Sequence, residues 1–196
     1  MLKSKEVHIL RSKIDHHRKQ RNQGRSIKPT DQKRIRAMRL MDDAFMTACL
    51  SDNIPCTELI IRIILDRDDI EVKSVSTQYH IHNLKGRSVT FDVYAEDTEG
   101  KAYDIEIQRA SRGAMPKRAK YHSSLMDASI TEPRDGFEKL RESYVIFITD
   151  KDVMEEGLPV YHVERYIKEV RRPFADGSHI IYVNGENRDG SPLGLL

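Results

Sequence analysis

The pattern of apolar residues predicts a mixed α/β domain, an α+β mixed sheet with the element order αβββαβ. Three observations carry that prediction. Apolar residues recur at helical spacing through the region from 30 to 67. The stretch from Arg87 to Gln108 alternates at period 2 along two arms. A continuous apolar run, Tyr144-Val145-Ile146-Phe147-Ile148, then follows a helix that Pro116 can open.

The first helix can be capped by Thr30 or Asp31 and carries Ile35, Met38, Met41, Phe45, Ala48 and Cys49 as a core-facing stripe. Ser51 to Pro55 ends it. A second helix is expected from about Cys56 to Arg67, with Leu59, Ile60, Ile63 and Ile64 apolar and Glu58 in its first turn, where an acid complements the helix dipole. A first strand spans Ile70 to Leu84 and turns at Asn83-Leu84-Lys85-Gly86. His80 and His82 share one face of it and read as exposed residues rather than as ligands.

The central hairpin follows. Val89, Phe91 and Val93 are expected on one face of its first arm, with Thr90, Asp92 and Tyr94 on the other. On the second arm Tyr103, Ile105 and Ile107 oppose Ala102, Asp104, Glu106 and Gln108. Apolar faces meet only if the loop holds an odd number of residues. A three-residue loop, Thr98-Glu99-Gly100, puts glycine at the left-handed position and sets Asp92 opposite Glu106; a five-residue loop would set Asp92 opposite Asp104. Either register collects Asp92, Asp104, Glu106 and Gln108 on one face. Adjacent carboxylates repel. The cluster is therefore either a solvated polar face or the seat of a divalent cation, and hard oxygen donors suit Mg2+.

Beyond the hairpin, a helix runs from Pro116 to about Ser129, with Arg118 and Tyr121 three residues apart and Lys117 and Lys120 as ordinary surface lysines. The strand from Glu142 to Thr149 has the continuous burial of a central or parallel strand. Residues 159 to 167 form a further strand, Arg172 to Gly177 a turn, and Ser178 to Asn184 the last strand.

Charge is unevenly placed. Of the 33 Lys/Arg and 31 Asp/Glu, 12 and 3 fall in residues 1–36, so this segment carries +9 and the remainder −7. A basic N-terminal arm (1–36) on an acidic body (37–196) points to an anionic partner such as nucleic acid. The arm has no aromatic residue for stacking on bases, and the adjacent His16 and His17 would diverge on a helix. No stretch approaches the roughly 20 apolar residues of a membrane span. No signal peptide is evident, and Cys49 and Cys56 read as reduced thiols of a cytoplasmic protein.

Asp92, followed fourteen residues later by Glu106-Ile107-Gln108, resembles the PD-(D/E)xK nuclease core, and more narrowly the Rpn-type recombination-promoting nucleases, also described as transposases. The stretches RSVTFDVY (from Arg87), YDIEIQ (from Tyr103), RAKYHSS (from Arg118), YVIFITD (from Tyr144) and GSHIIYVNG (from Gly177) carry the resemblance, which runs from about Met41 to the C-terminus. It implies a restriction-endonuclease-like core and metal-assisted hydrolysis of DNA phosphodiesters that promotes recombination. It further implies Mg2+ (or Mn2+) held by Asp92, Glu106 and the carbonyl of Ile107, with Glu58 as a further candidate ligand. Arg118 and Tyr121 would bind phosphate or balance charge. Gln108 stands where the parent motif has lysine; related sequences share this Glu-x-Gln, and an amide can hold a water or a phosphate but carries no charge. Relatives continue into a helical C-terminal region, so the resemblance implies a shortened end here. A homodimer would suit cutting of both strands. Two other readings stay open: a nucleic-acid-binding or assembly protein with a decayed catalytic core, and a hydrolase or regulator that does not act on DNA.

Overall fold

The computed structural model describes Thr30, residues 43–132 and residues 134–196. The basic arm and the expected stripe residues Ile35, Met38 and Met41 lie outside these. Helix α1 (Asp43–Leu50) turns Met46, Cys49 and Leu50 inward, and Ala48 is exposed rather than part of the stripe. Helix α2 (Ile54–Leu65) begins two residues earlier than expected. Asn53 accepts the Cys56 N–H at 3.3 Å as its cap, and Pro55 lies in the first turn, where a missing N–H costs nothing. Pro55 thus opens the second helix rather than closing the first. Cys49 and Cys56 are both buried thiols, and burial pushes Cys56 up to about 12.

Six strands form one mixed sheet: β1 (Val72–Ile81), β2 (Val89–Asp97), β3 (Ala102–Gln108), β4 (Ser143–Thr149), β5 (Val160–Val163) and β8 (Ser178–Asn184), in the order β1-β2-β3-β4-β8-β5. The first three are antiparallel; β4 runs parallel to β3, and β8 parallel to β4. Helix α3 (Pro116–Ile130) makes the crossover from β3 to β4 that a parallel pair needs. The strand expected over 159–167 divides into β5 and β6 (Tyr166–Ile167). β6 pairs with β7 (Arg172–Pro173), so a small second sheet stands where only a turn was expected.

The β2–β3 turn holds three residues. Val93 pairs with Ile105 and Glu96 with Ala102, and the same register carried on by one places Asp92 opposite Glu106. Gly100 has φ +85°, and its N–H donates to the Asp97 carbonyl. The buried Asp97 carboxylate closes the turn by accepting from the Lys101 N–H and the Tyr103 hydroxyl, both at 2.8 Å.

The sheet separates two apolar clusters. Helices α1 and α2 cover one face, against Val93, Ala95, Tyr103, Ile105, Ile107, Tyr144, Ile146 and Ile148. Helix α3 covers the other, where Ala119 and Met126 meet Phe91, Tyr94, Val145, Phe147 and Tyr182. Val89 and Phe91 therefore do not share a face with Val93, contrary to strict alternation. The pleat slips midway along β1 and β2. Val75 packs with the first cluster, whereas Tyr79 stacks on Tyr94 and Phe91 and Ile81 joins the second cluster. Between them Gln78 has φ +53°, beside Asp92 in the register of these strands. Such an irregularity re-aims a side chain, and the residue at the slip in β2 is Asp92.

Ile146 is fully buried at the centre of the first cluster. Its replacement by alanine removes three carbons and leaves a cavity, so Ile146→Ala is expected to lose about 2–5 kcal/mol of unfolding free energy. Urea denaturation with an unchanged m-value checks this.

Candidate active site

At the C-terminal end of β3, backbone and side chains of the hairpin hold one another. The Asp92 N–H donates to Glu106 Oε1 at 3.0 Å, and the Ile107 N–H donates to Asp92 Oδ2 at 3.0 Å. This reciprocal clasp orients both acids with backbone amides, which cannot titrate away. Glu106 Oε2 accepts from Arg118 Nη2 at 2.7 Å and from Gln108 Nε2 at 3.3 Å. Gln108 leans over Gly113: a Cβ there would lie 1.9 Å from Gln108 Oε1, so a larger residue would push the amide out of its present place beside Glu106.

Asp104 and Glu106 share the face of β3 that α3 covers, and both are fully buried. The solvated-face reading is thereby excluded for Asp104 and Glu106, while Asp92 is half-buried. Asp104 Oδ2 is 2.9 Å from His122 Nδ1 on α3, and its Oδ1 is buried with no hydrogen-bond partner. His122 Nε2 in turn accepts from Arg118 Nε at 3.1 Å, and Arg118 Nη1 donates to the Gly113 carbonyl at 3.0 Å. Arg118 and His122 reach the site together because residues four apart stack on one helix face.

Crowded acids in a dry place hold protons. Burial pushes Asp104 well above the usual carboxylate range, and the Asp92 charge adds to it. Burial, then Asp104 and Asp92, push Glu106 up to about 8. His122 is lowered, chiefly by burial.

Of the expected site residues, Asp92, Glu106, Ile107, Gln108 and Arg118 come together. Glu58 does not join them. It lies on α2, on the opposite side of the sheet, paired with Arg62 at 3.0 Å and accepting the Val72 N–H at 3.0 Å. Val72 pairs with Asp97, five residues along β2 from Asp92, or about 17 Å at strand rise. Tyr121 is bonded elsewhere: its hydroxyl donates to the Arg87 carbonyl at 2.5 Å and accepts from Asn83 at 3.3 Å, tying the β1–β2 loop to α3. His80 and His82 are exposed, as expected, with His80 beside Thr90. His122 was not singled out by its sequence context; the signal that could have found it is its i, i+4 spacing from Arg118. Asp104 was seen only as one acid of the face.

The donor set suits a divalent cation. Three acidic side chains gather around one guanidinium, which pairs with Glu106, and the buried Asp104 Oδ1 has no hydrogen-bond partner. Asp104, Glu106 and His122 can each bring one ligand atom within 4.8 Å of the others. None of the described residues forms a helix long and apolar enough to cross a membrane.

Residues 57–189 match the family model for PD-(D/E)XK nuclease family transposases. No curated protein and no solved structure matches the chain.

The elevated Glu106 value has a measurable consequence in metal-free protein. The folded state binds more protons here than the unfolded chain, whose glutamates titrate near 4.3, so this contribution to stability is complete below that value and is lost as pH rises through about 8. His122, lowered in the fold, acts in the opposite sense only below about pH 6.5. The melting temperature in EDTA is therefore expected to fall between about pH 6.5 and 8.5, and a divalent cation to restore it most at the alkaline end; thermal melts across that range test this.

Proposed function

The chain belongs to the PD-(D/E)XK nuclease family transposases, and from that premise we propose that it is a Mg2+-dependent DNA endonuclease whose cuts promote recombination. The observation that carries this reading is the clasp of Asp92 and Glu106 beneath Arg118 and Gln108, at the half-buried edge of an otherwise buried acidic cluster.

In this reading Asp92, Glu106 and the carbonyl of Ile107 hold the ion. Bound there, a divalent cation supplies Lewis-acid stabilisation of the charge that develops on a phosphodiester under attack and lowers the pKa of a water. The protein's own groups do the positioning. The Ile107 and Asp92 amides keep the two carboxylates in place. Gln108, bonded to Glu106 through one amide hydrogen, has its other hydrogen and its carbonyl oxygen to hold a water or a phosphate oxygen. Arg118 adds a charge that survives at any working pH. Exposed Arg87, Arg109 and Arg112 lie on the segments leading into β2 and out of β3, which suits a phosphate backbone crossing the site. A cytoplasmic setting, a homodimer for double-strand cuts and DNA contact by the N-terminal arm fit the same reading.

Gln108 at the motif-lysine position favours the alternative of a decayed, DNA-binding core. Supercoiled plasmid cleavage separates the two. Wild type with Mg2+ or Mn2+ is expected to nick or linearise. Asp92→Ala and Glu106→Ala are expected to lose at least on the order of 10²-fold in rate while still binding DNA. Salt-sensitive binding without any cleavage by wild type would establish the decayed core instead.

A further inference from the structure

One chain of contacts, Asp104 to His122 to Arg118, is used neither by the clasp nor by the expected ion ligands. Its protonation follows from its partners. Arginine is always charged, so the His122 Nε2 that receives the Arg118 Nε–H must carry a lone pair. A neutral imidazole then has its proton on Nδ1, and that N–H donates to Asp104 Oδ2 at 2.9 Å. The ring is 2% exposed and lies between Phe91, 5.3 Å away, and Phe147, 5.9 Å away, which restrict its rotation.

The guanidinium has five N–H bonds. One goes to His122, one to the Gly113 carbonyl and one to Glu106. Two remain, on a side chain that is 35% exposed, with its central carbon 5.9 Å from the Phe147 ring centroid. A long flexible side chain is thereby fixed at three points and keeps two donors for an incoming group. Both ring nitrogens are satisfied, as a buried imidazole requires, and the outer partner is the same arginine that reaches Glu106.

We infer that His122 is a positioning residue: held by Asp104 as the Nδ1–H tautomer, it fixes the Arg118 fork so that its two remaining N–H groups meet the scissile phosphate. This rests on the nuclease reading and deepens it, because it assigns the phosphate contact to Arg118 and the control of that contact to a residue that does not touch substrate.

Two measurements test it. Long-range 1H–15N spectra of histidine-labelled protein at pH 7 are expected to show His122 neutral with its proton on Nδ1. In cleavage, Arg118→Ala is expected to lose on the order of 10²-fold in rate. His122→Leu should lose nearly as much, and the double variant should be no slower than Arg118→Ala alone, because the histidine acts through the arginine. His122→Gln, whose Oε1 can accept the Arg118 Nε–H, should retain most of the wild-type rate; a loss there as large as that of Arg118→Ala overturns the inference even if His122→Leu does not fold. Additive losses in the double variant, or a proton on Nε2, overturn the inference while leaving the nuclease reading intact. Absence of cleavage by wild type overturns the nuclease reading and the phosphate role with it.

Discussion

Burial of acids beneath α3 is the constraint on which the site depends. Asp104 and Glu106 have no access to water, so each oxygen has to find a donor, hold a proton or wait for a cation. The surrounding structure answers oxygen by oxygen. Backbone amides serve Asp92 and Glu106, Arg118 and Gln108 serve the outer oxygen of Glu106, and His122 serves one oxygen of Asp104. Asp104 Oδ1 alone among these oxygens has no partner. A cluster built this way is costly without a cation and is well arranged to accept one.

The fold supplies the rigidity that such a cluster needs. β3, β4 and β8 are parallel, so the crossover after β3 is obliged to run over the sheet, and α3 is that crossover. The helix brings a second set of residues, Arg118 and His122, onto the face where the even-numbered residues of β3 emerge. Its apolar side, Ala119 and Met126, packs in one cluster with Phe147 and Tyr182 and sets the height at which the Arg118 guanidinium and the imidazole stand. The slip at Gln78 and Asp92 complements this. It turns Phe91 toward α3, against His122, and leaves Asp92 at the point where its carboxylate reaches the Ile107 amide. Strain at one residue of β1 is a small cost against precise placement of a carboxylate.

The departure from the parent motif looks different once the neighbours are known. A lysine at position 108 would enter a site that already holds a permanent cation on Glu106. Gln108 keeps hydrogen-bonding capacity beside that acid without adding a second charge, and Gly113 is shaped to let it lie there. In the proposed reading, charge and hydrogen bonding, combined in one lysine in the parent pattern, are divided between Arg118 and Gln108, which both bond Glu106.

Local chemistry made much of this legible in advance. Alternation of apolar residues in 87–108, glycine at 100 and an odd loop length are short-range properties, and they admitted a three- or a five-residue turn, of which the three-residue one, with Asp92 facing Glu106, forms. The helix from Pro116, the buried strand 143–149 and the last strand 178–184 were equally local. Family resemblance added Asp92, Glu106, Gln108 and Arg118 as a group. The tertiary structure alone decided the rest. Whether Glu58 reached the acids depended on which side of the sheet α2 packs. Whether the acids were wet or dry depended on α3 lying over them. The link from Asp104 to His122, eighteen residues apart, exists only because a parallel crossover folds one element onto the other. Periodicity reports which side of its own element a residue occupies; it carries no information about what the chain brings to face it.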